Sequence, residues 1–444
     1  MAGLTWAEEG RATDTEIQSF LAGDDVILDR ELFVFDIRAT KAHARGLGRI
    51  GILTNAEVAS MSTELDALDR DFRRGAFVLD ARYEDGHSAI EAHLTAKLGE
   101  TGKRVHTGRS RNDQVQVALR LYLRDRLDAV AQTCASIADA MIARADVDGA
   151  VPMPGYTHMQ RAVPSNVGLW LGAFAEAFVD DATFAVGTRD WLASCPLGTS
   201  AGYGVNLPLD REGVARDLGF ARLQLNPMYV QNSRGKFELA ALGAVAQALL
   251  DVRRFAWDLS LFTSAEFGFV GLPSAYVTGS SLMPNKKNPD VVELLRAAAA
   301  TVIGAQMEVV SALSLPSGYH RDLQVTKPPL LRAMRQGTAA LSLVARIVRD
   351  LTLNSARMRE AITKEMFATD RATEMARAGT PFRDAYRAVA NDLGSLTGDD
   401  ALASLAARVS PGATADLRLD EMRSRLVTVR ALLARKEETD AATG

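Results

Sequence analysis

Only two cysteines, Cys134 and Cys195, occur in 444 residues, too few for a disulfide framework. A chain of this length buries a core without such staples, and length alone allows two to three domains. Long hydrophobic runs are missing too. No stretch approaches the ~18 to 20 apolar residues of a membrane span, since even RAAAATVIGAQMEVV is broken by Gln306 and Glu308. Nor is there an excess of either charge: 51 Lys plus Arg face 55 Asp plus Glu, a net charge of -4. That balance gives no reason to expect nucleic acid or a membrane surface as partner. The opening MAGLTWAEEG lacks the basic-then-apolar order of a signal peptide, and with the scarcity of cysteine this points to the cytoplasm. The histidines show neither HxxxH nor the Cys/His spacing of a zinc site, so no metal is expected.

Aromatic residues make up only 6% while alanine is abundant, a mixture that favours helix over strand. Between Val115 and Ala145 the apolar Leu127, Val130, Cys134, Ile137 and Met141 alternate at spacings of three and four, the stripe of an amphipathic helix. Such a segment is about 45 Å long and belongs in a bundle, with Cys134 as a core hydrophobe. A second stripe runs through Val291, Leu295, Ala298, Val302, Ala305, Val309 and Ala312. Ser165 to Thr188, Lys236 to Phe267 and Leu330 to Ala361 also read as helices. The expectation is an all-α chain with an N-terminal helical domain (1–110), a central long-helix bundle (111–360) and a C-terminal helical domain (361–444).

Three polar clusters interrupt this pattern, each expected at the end of a long helix. In HTGRSRNDQ, His106 to Gln114, a helix N-terminus with Ser110 or Asn112 as cap and Asp113 favouring the dipole explains part of the composition. It leaves Arg109 and Arg111 unexplained, because cations are disfavoured at that end unless an anion sits there. In PGYTHMQRAVP, Pro154 to Pro164, the residues Thr157, His158 and Gln160 crowd together between prolines. The third, GSSLMPNKKNP, Gly279 to Pro289, places two hydroxyls and two ammonium groups just before a long helix beginning near Asp290. Backbone N–H groups and the dipole favour an anion there, and Lys286 and Asn288 add a charge and an amide. This loop reads as a carboxylate site with a hydroxyl beside it.

These residues resemble the fumarase/aspartase superfamily, whose signature GSSxMPxKxNP is matched at every fixed position by GSSLMPNKKNP. HTGRSRNDQV and PGYTHMQRA are similar to the argininosuccinate lyase family within it, as are LDRELFVFDIRATKAHARGL, EDGHSAIEAHL, PLGTSAGYGVNLPLDRE and GYHRDLQVTK. The resemblance runs from about residue 20 to about 390. It implies a three-domain all-α homotetramer with a twenty-helix core, in which three clusters from three subunits assemble each active site. The implied reaction is cofactor-free cleavage of argininosuccinate to arginine and fumarate, in arginine biosynthesis, through an aci-carboxylate carbanion.

By the same resemblance Ser280 is the base, activated by an electropositive setting that Lys286 and the helix start would supply. Lys286 and Asn288 hold the carboxylate on which charge accumulates, joined by Ser110, Asn112 and Thr157, with Gln160 nearby in the second cluster. His158 pairs with Glu293 as general acid or organiser, and His87 matches a further active-site position. For the arginine half the resemblance points to Asp29, Arg111, Tyr319, Gln324 and Lys327. Departures from the family pattern are Asp25 in place of serine, Asn285 in place of glutamine, and NSRGKFE (Asn232 to Glu238) in place of an acidic-Arg-acidic run. They bear on the arginine half, so a sister lyase releasing another amine from an N-substituted succinate is one rival. A non-catalytic, crystallin-like structural protein is the other; the presence of Ser280, Lys286, Asn288 and His158 speaks against it.

Overall fold

A computed structural model describes residues 15–398 and 400–443; the opening segment weighed above for a signal peptide lies outside them. Near the N-terminus, α1 (Phe33–Arg49), α2 (Asn55–Arg73) and α3 (Gly86–Leu98) enclose a core of their own around Phe33, Leu47, Met61, Leu65 and Ile90. Two of these helices start on capping boxes, Thr54 with Glu57 and Asp85 with Ser88, which satisfy backbone donors that would otherwise be orphaned.

The main core is built on α4 (Arg111–Asp148), 38 residues and therefore about 57 Å long. Its expected stripe is sealed: Leu127, Val130, Cys134, Ile137 and Met141 are each no more than 1% exposed. Around it lie α5 (Val167–Trp191), α6 (Lys236–Phe262), α7 (Asp290–Ala312) and α8 (Lys327–Asp350). A last helix, α9 (Leu419–Thr443), returns to this core through Met422, Leu426, Val429 and Leu433. The all-α expectation holds, with three two-stranded sheets as minor connections.

Three local expectations are corrected. The helix sought as far as Phe267 ends at Phe262, where Thr263 and Ser264 turn their hydroxyls onto the carbonyls of Leu259 and Leu261. The helix sought through Ala361 stops at Asp350; Leu351 turns extended, and Thr352–Leu353 pair with Val270–Gly271 before Asn354 caps a new short helix. The second polar cluster is not at a helix start but in a β-hairpin, β1 (Pro152–Thr157) and β2 (Gln160–Asn166). Prolines at 152, 154 and 164 rule out helix on both sides of the turn, and α5 begins only where Asn166 accepts the Leu169 N–H.

Against a well-filled interior, α7 stands out for what it leaves uncovered. Leu294 is 72% exposed and Met307 59%, with Ile303 and Val310 on the surface too. The helix has the length and apolarity of a membrane crossing, yet it carries Glu293, Arg296 and Glu308. Its outer stripe is of the kind that another protein surface covers.

Candidate active site

The first polar cluster opens onto a cleft of about 670 Å³. Its walls are the N-terminal segment around Asp25 and Asp29, the start of α3, the start of α4, the Ser200–Ala201 turn, Arg234 and the stretch from Tyr319 to Lys327. Residues from Asp25 to Lys327 thus face one space, and charge organises them. Lys327 Nζ lies 2.8 Å from Asp29 and 3.0 Å from Asp25, while Gln324 donates to the other Asp25 oxygen at 2.6 Å. Burial opposes the ammonium charge, but the two carboxylates outweigh it and raise the Lys327 pKa. For Asp25 burial wins over Lys327, and its pKa rises.

Asp29 also accepts the Gly86 N–H at 2.8 Å, an approach that leaves little room for a side chain at position 86. That bond seats the start of α3, with Glu84 and Asp85 just before it and His87 on its first turn. Arg111 Nη1 sits 2.9 Å from Glu84 and 3.0 Å from Asp85. His87 Nδ1 is 2.6 Å from Asp36; burial works against the imidazolium, but the Asp36 carboxylate prevails and lifts the pKa to about 9. His87 is therefore a cation at neutral pH.

At the head of α4, Ser110 Oγ caps the helix by accepting the Asn112 N–H, and Asp113 Oδ1 accepts the Ser110 N–H at 2.9 Å. The second Asp113 oxygen accepts from Gly198 at 3.0 Å and Ser200 at 2.8 Å, drawing the 198–201 turn into the cleft wall. Asn232 holds the opposite rim: its Oδ1 accepts the Gly318 N–H at 2.8 Å, next to Tyr319.

Of the residues singled out from sequence, the cleft unites Asp29, His87, Ser110, Arg111, Asn112, Tyr319, Gln324 and Lys327. It does not take in Thr157, His158 and Gln160, which stand on the β1–β2 hairpin with His158 and Met159 at its tip in left-handed conformation (φ 52° and 59°). Nor does it take in Ser280, Lys286, Asn288 and Glu293. That third cluster is an exposed loop closed by Thr278 and Asn288, which exchange backbone hydrogen bonds of 3.0 and 2.8 Å. Inside it Ser280 Oγ accepts the N–H groups of Leu282 at 3.3 Å and Met283 at 3.1 Å. Glu293, on the first turn of α7, is paired with Arg296 at 3.6 Å.

Comparison with known proteins decides the family. The sequence profile of the lyase family matches residues 17–304. An argininosuccinate lyase of Stenotrophomonas maltophilia (strain R551-3) is 57% identical over 426 residues, 96% of this chain and 99% of that one. One from Xanthomonas axonopodis pv. citri (strain 306) is 56% identical over 432 residues, 97% of this chain and all of the other.

The chain belongs to the argininosuccinate lyase family.

It is accordingly an enzyme, a lyase acting on carbon–nitrogen bonds in the fumarase/aspartase superfamily. Solved structures agree on the fold: EDDS lyase in complex with formate superposes with a TM-score of 0.81 at 24% identity, covering 98% of this chain and 94% of that one. A class II fumarase from Schistosoma mansoni gives 0.70 at 17% identity, over 88% and 94%. Several cleft residues of this lyase escaped the sequence reading. Glu84 and Asp85 lie inside the quoted EDGHS motif, and Asp25 and Arg234 lie in segments noted only as departures. Their partners come from distant positions, and no local pattern pairs them.

Proposed function

We propose that this lyase cleaves argininosuccinate to arginine and fumarate in a cytoplasmic arginine-biosynthetic pathway, as a homotetramer whose sites combine clusters from different subunits. One observation carries the composite site above all. The cleft built from the first cluster holds Lys327 and Arg111 each paired with two acids, while the hydroxyl loop and the hairpin of the same chain are not part of its walls. The uncovered stripe on α7, which begins where that loop ends, supports packing of like helices from further subunits.

In this reading a proton leaves the carbon beside one succinyl carboxylate and passes to Ser280. Two backbone N–H groups already point at Ser280 Oγ, the arrangement an alkoxide needs. Lys286 and Asn288, with Ser110, Asn112 and Thr157 of other subunits, hold the carboxylate that gathers charge, and Gln160 joins them from the hairpin. The carbon–nitrogen bond then breaks as the guanidinium takes a proton, with His158, paired to Glu293, as acid or organiser. A base gives about 10² to 10⁴ in rate and an oriented oxyanion donor about 10² to 10³, so several clusters acting together are needed. Asp29, Arg111, Tyr319, Gln324 and Lys327 surround the arginine half, and His87, paired with Asp36, lines the same cleft.

Release of fumarate from argininosuccinate, followed by ultraviolet absorbance, tests the reading. Turnover confined to a different N-substituted succinate would replace the substrate, and no product from folded tetramer would favour a structural protein.

A further inference from the structure

The cations of the cleft differ in how far their charge is already committed. Lys327 is held by Asp25 and Asp29, and Arg111 by Glu84 and Asp85, all within 3.0 Å. Arg321 lies on the rim and donates to the Leu21 carbonyl at 2.8 Å and to Gln324 at 3.2 Å. Arg109 donates to Thr40 Oγ1 at 2.9 Å.

Arg234 has no such engagement. It is 5% exposed and lines the cleft, yet its one side-chain hydrogen bond among the described residues is a long 3.4 Å contact from Nη2 to the Leu323 carbonyl. Its Nε is sealed from solvent with no partner, and among the described residues no carboxylate comes within 4.0 Å of it. The guanidinium lies over the Tyr319 ring, 6.0 Å from its centre. Burial alone holds its pKa below the ordinary arginine range. A buried, unpaired guanidinium is costly, and the cost is offset when an anion enters.

We propose that Arg234 receives the α-carboxylate of the amino-acid half of the substrate, making a free carboxylate on the leaving amine a requirement for tight binding. The planar fork of arginine suits a carboxylate, and Tyr319 beneath it fixes the plane. Asp25 contributes to the field at Arg234, but its two oxygens stay with Lys327 and Gln324. Lys327 and Arg111, the other cations expected around the arginine half, are occupied by acids and serve to shape the pocket.

This rests on the elimination reading above, and the test separates the two. L-Arginine and L-argininamide are titrated calorimetrically into the full tetrameric chain, wild type and Arg234→Gln, with argininosuccinate turnover measured alongside. The expected result is a loss of arginine affinity of about 10- to 100-fold, the range of one charge-assisted contact, with argininamide affinity changed less than about threefold. The KM for argininosuccinate rises by a similar factor while kcat changes little. An equal loss for both ligands marks a structural role for Arg234 and overturns the assignment, as does unchanged arginine binding. If Arg234→Gln does not fold, Arg234→Lys replaces it: the charge stays, the fork is lost, and a selective loss for arginine is still required. Wild-type protein that cleaves argininosuccinate while failing these arms removes only this inference; wild-type protein that neither cleaves it nor binds arginine removes both.

Discussion

His87 and Asp36 form a buried pair, Nδ1 to Oδ2 at 2.6 Å, with side chains 9% and 3% exposed. Its stabilisation follows the charge on the ring. The folded pKa, raised to about 9 from 6.5, means that the contribution is complete below pH 6.5 and is lost as pH rises through about 9. The upper bound is about 3 kcal/mol. Asp36→Asn should therefore destabilise most near pH 6 and little above pH 9, and the His87 ring should titrate lower in the variant than in the wild type. Urea unfolding across that range and NMR of the ring check both; a pH-independent difference would remove the ion pair as the cause.

Removing Lys327 strands two acids. Lys327→Met leaves Asp25 and Asp29 facing each other in a site where the amine is 6% exposed. A cost of about 3 to 5 kcal/mol is expected in guanidinium chloride unfolding at neutral pH. Adding Asp29→Asn should recover part of it, since one of the two uncompensated charges is then gone; no recovery would mean that lost packing dominates.

Asp113 has two acceptor oxygens with separate tasks, one for the Ser110 cap and one for the Gly198 and Ser200 amides. Asparagine offers a single acceptor, so Asp113→Asn must give up one task. The expectation is a loss of about 1 to 3 kcal/mol in thermal unfolding together with faster hydrogen exchange at the 198–200 amides or at the first turn of α4. Unchanged exchange at both places would contradict the division of labour.

On the proposed role of Ser280 as base, Ser280→Ala should keep the oligomeric state and substrate binding yet lose about 10² to 10⁴ in kcat. If clusters from different subunits share a site, mixing inactive Ser280→Ala chains with inactive His158→Asn chains should restore partial activity after subunit exchange. Verified hybrid tetramers that stay inactive would argue for sites confined to one chain.

What the sequence disclosed depended on how local the determining contacts are. The stripe of α4 was legible residue by residue because Leu127, Val130, Cys134, Ile137 and Met141 repeat with the helical period. Turns were harder. His158 looked like a residue near a helix start, whereas strand pairing between Pro152 and Asn166 places it at a hairpin tip. The motif residues of the cleft came from family resemblance, and the structure adds what resemblance does not carry: which charges are already spent. Asp25 and Asp29 find Lys327 about 300 positions away, a pairing with no signature in the intervening chain.

The hairpin turn has one more implication. Two-residue loops of this geometry are ordinarily Asn-Gly or similar, and His158 and Met159 both adopt positive φ without that relief. Strain of this kind amounts to about 1 kcal/mol or more per residue, so the strand pairing on either side must restrain a turn that would otherwise relax. Engineering that swapped in the relaxed turn would harden the molecule against heat and, on the role proposed for His158, would trade that robustness against turnover.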